Sequence, residues 1–301
     1  EEYYAGMGWS PLQELANGAL QRGISVHPYL ALLFEGVQLP NPTSPLGEKL
    51  PVLLASGFAL QHPQFWRMSR TGRDSLSVSG HIMVSPAFEE VRNYVIGQLV
   101  RIVRSFPLDG FQLELLVESA PGQVDAEGVS MFGYERPVIE QFRLKYGREP
   151  FEVPNSDPLW LRHRASFTDS LLDELQSQLR SVRPGIHLSV AAGIPPRGSL
   201  NALCDYPSWA KKGWIDSVSI RHQTGDPGLV AEEVMLVRSA VEDAVPVISQ
   251  LMCWGGGNKL RAGPLLEQAA RKARQAGAAG VGVYRADSVK SLGLWPHVLS
   301  S

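Results

Sequence analysis

Two cysteines are all that 301 residues contain, Cys204 and Cys253, and their spacing matches no metal motif. That excludes a disulfide framework and a cysteine zinc site and leaves two structural thiols. Charge of either sign is equally sparing. Lys and Arg number 28 against 30 Asp and Glu, for a formal charge of -2, and no long basic run occurs. This argues against a general nucleic-acid or anionic-membrane surface and in favour of small neutral partners. No apolar stretch approaches the ~20 residues of a membrane span. The opening EEYYAGMGWS lacks both the basic start and the apolar run of a targeting signal. It begins with Glu, as expected of a processed or excised piece, which leaves a removed secretion signal open. The seven histidines form no HxxxH or HExxH motif, and no GxGxxG or GxxxxGK turn follows a strand pattern. No metal and no cofactor is therefore expected.

What is present is a regular alternation of helix and strand patterns. With 44% hydrophobic and 19% charged residues the chain can bury a large core. Helical spacing runs through SPLQELANGALQRG, PAFEEVRNYVIGQLVRIVRSF, RPVIEQFRLKYG and LWLRHRASFTDSLLDELQSQLRSVRP, then around YPSWAKKG, VAEEVMLVRSAV and PLLEQAARKARQAG. Between them, seven strands are predicted: ISVHPYLALL, SGHIMVS, DGFQLELLVE, IHLSVAAG, WIDSVSI, VPVISQLMCW and GVGVYRAD. Alternating βα units build either an open doubly wound sheet or a (β/α)8 barrel.

The third strand decides between them. Phe111, Leu113, Leu115 and Val117 alternate with Gln112, Glu114, Leu116 and Glu118. A parallel strand covered by helices should be apolar on both faces, so Gln112 and Glu114 need an explanation. In a barrel, outward residues pack under helices, while inward ones near the C-terminal end tolerate polarity because the site lies there. His187, Ser189 and Ala191, and Ser217, Ser219 and Arg221, repeat the pattern. The expectation is an α/β fold, a TIM-like (β/α)8 barrel. It forms a single domain over residues 1–301, incomplete at its N-terminus because strand 1 is missing upstream of the first helix.

The segments HPQFWRMSRTGRD, VSPAFEEVRNYVIGQLVRIVRSFPLDGFQLE, FGYERPVIEQFRLKYGREP and DPLWLRHRASFTDSLLDELQSQLRSVRPGIHLSV resemble the family-10-like glycosyl hydrolases, as does PLQELANGALQRGISVHPYL. The likeness runs from about residue 9 to about residue 225. It implies a TIM-like barrel that acts on or binds polysaccharide, often outside the cytoplasm. It departs where the family has a second acid: here Glu114 is followed by Leu115. Against the chitinase-type DGxDxDxE strand, Gln112 replaces the middle Asp and Leu116 stands where the catalytic Glu would be, which disfavours substrate-assisted chemistry.

Glycoside hydrolysis usually needs two carboxyls across the scissile bond. Glu114 is the candidate general acid, since burial near a strand end would keep it protonated; the bland alternative is a structural Glu bonded to Arg221 or His187. Glu118 is the candidate base, or a solvated loop acid. Asp287 closes the last strand, or caps the helix that follows. Asp109 is read as an anchor for the start of its strand. For binding sugar, the candidates are Gln112 with the strand-end residues His27, Tyr29, Arg221, His222, Gln250, Trp254, Tyr284 and Arg285. Trp254 offers a flat apolar face or is a core indole. HPQFW, with His62, Phe65 and Trp66, is either the packed base of a lid or a subsite. Two functions remain open: a glycoside hydrolase, or a catalytically degenerate barrel that holds glycan or another protein.

Overall fold

The computed structural model describes residues 10–39, 52–115, 123–253 and 262–299. Six strands form one parallel sheet: β1 (Tyr29–Ala31), β5 (Gly110–Glu114), β6 (His187–Ala192), β7 (Ser217–Arg221), β8 (Val247–Met252) and β9 (Gly280–Tyr284), in that spatial order. The order in space follows the order in the chain and never reverses. A doubly wound sheet reverses at a switch point, so this is the singly wound order of a TIM-like barrel. Among the described residues, the two edge strands β1 and β9 pair only with their inner neighbours β5 and β8.

Helices follow the strands for local reasons. Asp157 accepts from the amides of Leu159 and Trp160 and Pro158 occupies the first turn, starting the long helix Pro158–Val182. Asp226 and Pro227 start Pro227–Val241 in the same way, and Gly147, at φ 61°, ends Arg136–Tyr146. Buried residues at helical spacing then face the sheet: Val91, Val95, Leu99 and Val103; Leu171, Leu172, Leu175 and Leu179; Val230, Val234, Val237 and Val241. They cover the outward strand residues Phe111, Leu113, Leu188, Val190, Val218 and Ile220, all fully buried.

One predicted barrel strand lies elsewhere. The stretch ISVHPYLALL is strand only at Tyr29–Ala31; the chain turns at Leu32 and Leu33 and runs back as β2 (Phe34–Leu39). β2 pairs antiparallel with β3 (Val52–Ala55) on one side and β4 (His81–Met83) on the other. SGHIMVS therefore belongs to a three-stranded side sheet, because its hydrogen-bonding partner is the returning hairpin arm. Gly36 permits the pairing: a Cβ there would come within 2.7 Å of both the Leu54 carbonyl oxygen and Ala55 Cβ.

A second, smaller core gathers Tyr134, Val138, Phe142, Val153, Trp160 and Phe167. His163 sits against it, with its Nε2 2.9 Å from the Val138 carbonyl and its ring 5.3 Å from that of Phe142. Burial pulls the imidazole below its ordinary 6.5; the Val138 contact opposes this and Lys145 adds to it. Between the depressed folded value and 6.5 the unfolded chain binds more protons than the native state. This contribution to stability is therefore present above 6.5 and lost as pH falls through the folded value. Urea midpoints are expected to drop between about pH 7.5 and about pH 5.5, and His163→Phe should flatten part of that slope. An unchanged slope in the variant would assign the acid sensitivity to other groups.

Candidate functional site

In a parallel sheet, paired residues share a face. From β1 to β9 the register aligns Tyr29 with Gln112 and Ser189, Glu114 with Ala191 and Ser219, and Arg221 with Gln250 and Gly282. These polar positions all lie on the face opposite the helix-covered residues. Gln112 and Glu114 thus point inward, as the strand pattern requires. Asp109, at the other end of β5, accepts from the Val26 amide at 2.7 Å and holds the start of the strand.

Three of the inward side chains meet. Glu114 is only 5% exposed, and its Oε2 accepts from Arg221 Nη2 at 2.7 Å and from the Tyr29 hydroxyl. Arg221 Nη1 also donates to that hydroxyl at 3.0 Å. The guanidinium lies 5.9 Å from the Tyr29 ring and 5.7 Å from the Tyr284 ring. Burial, reinforced by the Glu114 carboxylate, pushes the Tyr29 phenol well above its ordinary value, so it remains a donor through the neutral range. Partial burial works against the Arg221 charge, but Glu114 and Tyr29 outweigh it and the guanidinium is held more firmly protonated than usual. These two contacts on Glu114 Oε2 are therefore from permanent donors, to which that oxygen is an acceptor. Nearby, Gln250 Nε2 donates to Gln112 Oε1 at 3.1 Å, while the buried Gln112 Nε2 has no hydrogen-bond partner among the described residues.

Other expected members stand apart. His27 lies two residues before Tyr29, level with Gly110 and His187 at the N-terminal ends of the strands, its ring 5.2 Å from that of His187. It is at the wrong end for the site, because β1 extends beyond it. His222 follows Arg221 by one residue and so faces the opposite way. It is fully buried, its Nδ1 meeting Glu233 of the helix Pro227–Val241 and its Nε2 2.8 Å from Ser249 Oγ. Asp287 lies in the first turn of the short helix Ala286–Ser291, where it accepts from the Ser288 amide and pairs with Arg285 at 2.8 Å. Its side chain is 60% exposed, the strand ends at Tyr284 and the helix cap is Arg285, so Asp287 neither closes the strand nor caps the helix. Arg285 is exposed beside it. Glu118 and Trp254 lie outside the described residues. In HPQFW, Trp66 Nε1 donates to the Ala59 carbonyl and Phe65 packs on Phe58 and Phe88, the contacts of a packed base.

One carboxyl escaped the sequence reading. Glu35 sits at a bulge in β2, where burial raises its value against hydrogen bonds with Ser56 and Tyr94. Those partners belong to the side-sheet connection and the helix Glu89–Ser105, not to the inner face of the parallel sheet. Nothing in the alternating pattern of β2 flags a bulge.

The Glycosyl hydrolase-like 10 family model matches residues 2–244. The chain belongs to this family. No curated protein sequence matches it. Among solved structures, it resembles the PgaB (BpsB) glycoside hydrolase domain from Bordetella bronchiseptica, with a TM-score of 0.58 at 13% identity over 93% of this chain and 76% of that one. A β-galactosidase from the psychrophilic Marinomonas ef1 gives 0.62 at 13% identity, over 92% of this chain and 46% of that one. An α-L-fucosidase isoenzyme from Paenibacillus thiaminolyticus gives 0.62 at 14%, over 96% and 39%. The chain thus spans less than half of these last two proteins. At such identities the likeness is one of fold, and it places this family member's parallel sheet among the barrels of glycoside hydrolases. No helix among the described residues is long and apolar enough to cross a membrane.

Proposed function

We propose that this Glycosyl hydrolase-like 10 protein acts on a polysaccharide as a glycosidase, outside the cytoplasm as the family resemblance implies, with Glu114 as the charged carboxylate at the scissile bond. The observation that carries this reading is the clamp of Tyr29 and Arg221 on Glu114 Oε2. It revises the general-acid role: a carboxyl that accepts from a guanidinium and a phenol suits a nucleophile or base, and the proton for the leaving group must come from another acid. Glu118 is the candidate for that acid. The polar strand-end residues Gln112, Gln250 and Tyr284 bind the sugar hydroxyls. A second reading, a barrel that binds glycan without cleaving it, is favoured by one fact: among the described residues, the inner face of the sheet carries no carboxyl besides Glu114.

Incubation of the protein with soluble polysaccharides, read as newly formed reducing ends, separates the two. Turnover is expected, and Tyr29→Phe should lower it by roughly 10- to 100-fold, since a hydrogen bond to a charged carboxylate is worth ~1.5–3 kcal/mol. Binding without any new ends would leave only the second reading. Neither binding nor cleavage of any polysaccharide would end both.

A further inference from the structure

A cleft of ≈ 610 Å³ opens between the turn at residues 124–128 and the loop at residues 193–201. The loop wall starts at Gly193, directly after the C-terminal end of β6 and two residues beyond Ala191, the partner of Glu114, so the cleft adjoins that end of the sheet.

Both walls are built rigidly. Asp125 Oδ1 accepts from the amides of Glu127 and Val129, and Asn155 Nδ2 donates to Asp125 Oδ2, which fixes the turn. The loop crosses itself at Gly193 and Gly198, where a Cβ on residue 198 would come within 2.2 Å of the backbone of Gly193, and the Tyr206 hydroxyl donates to the Gly193 carbonyl. Gly128, at φ +76°, lets Arg197 lie against the turn; a Cβ there would stand 2.9 Å from Arg197 Nε.

The lining combines apolar surface with polar side chains. Val124, Ile194 and Pro195 supply apolar surface, while Glu127, Arg197 and Asn201 supply polar side chains. Arg197 and Glu127 form no ion pair with each other, and neither they nor the Asn201 side chain has a hydrogen-bond partner among the described residues. An apolar floor with an acceptor, a cationic donor and an amide at its edge is the composition that takes a neutral pyranose ring, and the volume lies in the ~300–1,000 Å³ range of small-molecule sites.

We propose that this cleft is a second sugar subsite, holding the residue of the glycan chain next to the one at Glu114, so that the protein takes internal or extended oligosaccharides in preference to single sugars. The inference rests on the glycan reading of the clamp. Glu127 and Arg197 fix the hydroxyls of that neighbouring unit, and Ile194 and Pro195 pack under its ring.

The experiment is a glycan array of neutral, amino and acidic oligosaccharides, from single sugars to hexasaccharides, followed by titration of the best ladder. Wild type should gain affinity from the monosaccharide to the trisaccharide. In Arg197→Ala, and separately in Asn201→Ala, that gain should shrink by about tenfold for the arginine and less for the asparagine, as expected for charged and neutral hydrogen bonds. Thermal melts of both variants check that the loop remains folded. Tyr29→Phe should weaken all lengths alike. A ladder bound with the same length dependence by wild type and both variants would overturn the subsite while leaving the clamp reading intact. Preference for an acidic ladder with the arginine effect intact would overturn the neutral sugar. An array with no bound glycan at all overturns the clamp reading and the subsite with it.

Discussion

Glu114→Gln is expected to remove turnover of natural and activated glycosides alike, by about 10²-fold or more. Glutamine keeps the shape and can still accept from Tyr29 and Arg221, but it carries no charge and cannot attack carbon or deprotonate water. The activated aryl glycoside is the discriminating substrate. Its leaving group needs little protonation, so it would largely survive the loss of a general acid and would not survive the loss of a nucleophile or base. An aryl glycoside turned over at near wild-type rate by the variant would return Glu114 to the acid role. Equal survival of both substrates would remove Glu114 from the chemistry. Arg221, its side chain only 27% exposed, loses its counter-charge in this variant, so a lowered melting temperature is expected alongside.

The largest stability effect is expected at Trp160→Ala, about 3–5 kcal/mol for an aromatic removed from a closed core. The indole is fully buried, its Nε1 donates to the Tyr134 hydroxyl at 3.0 Å, and its ring meets Phe142 edge-on at 4.8 Å. It also lies 5.4 Å from the Arg164 guanidinium, which burial has brought down to about 10. Arg164 donates to the carbonyls of Ser130, Phe132 and Asn155 and so ties the segment after the turn at residues 124–128 to the long helix. Trp160→Phe should cost less, ~1–3 kcal/mol, for the lost hydrogen bond and the smaller ring. Chemical denaturation measures both; an alanine variant within ~1.5 kcal/mol of wild type would mean that this small core collapses around the gap.

Much of the inner face could be read from the alternation of side chains alone. Gln112 and Glu114 cannot be on the helix side of a buried strand, and Ser189, Ser219 and Arg221 follow by the same count. That count also holds the correction for His222: adjacent residues in a strand point opposite ways, so His222 and Arg221 cannot share a site. His27 failed for a different reason. Sequence gives the face of a residue but not its height in the sheet, which depends on pairing Tyr29 with Gln112 across 83 residues. The side sheet was invisible for the same reason, since HIMVS reads alike whether its neighbour runs parallel or antiparallel. The subsite residues Glu127, Arg197 and Asn201 lie in loops, where no periodicity marks which side chains face a cleft.

The clamp has a consequence for how the chain acquires its shape. Tyr29, Glu114 and Arg221 are separated by 85 and then 107 positions, and the Arg221–Tyr29 contact spans 192. Contacts of such separation close long loops and belong late in folding, after neighbouring βα units have docked one upon the next. A nascent chain that has released Glu114 but not Arg221 holds the carboxylate before its cation exists.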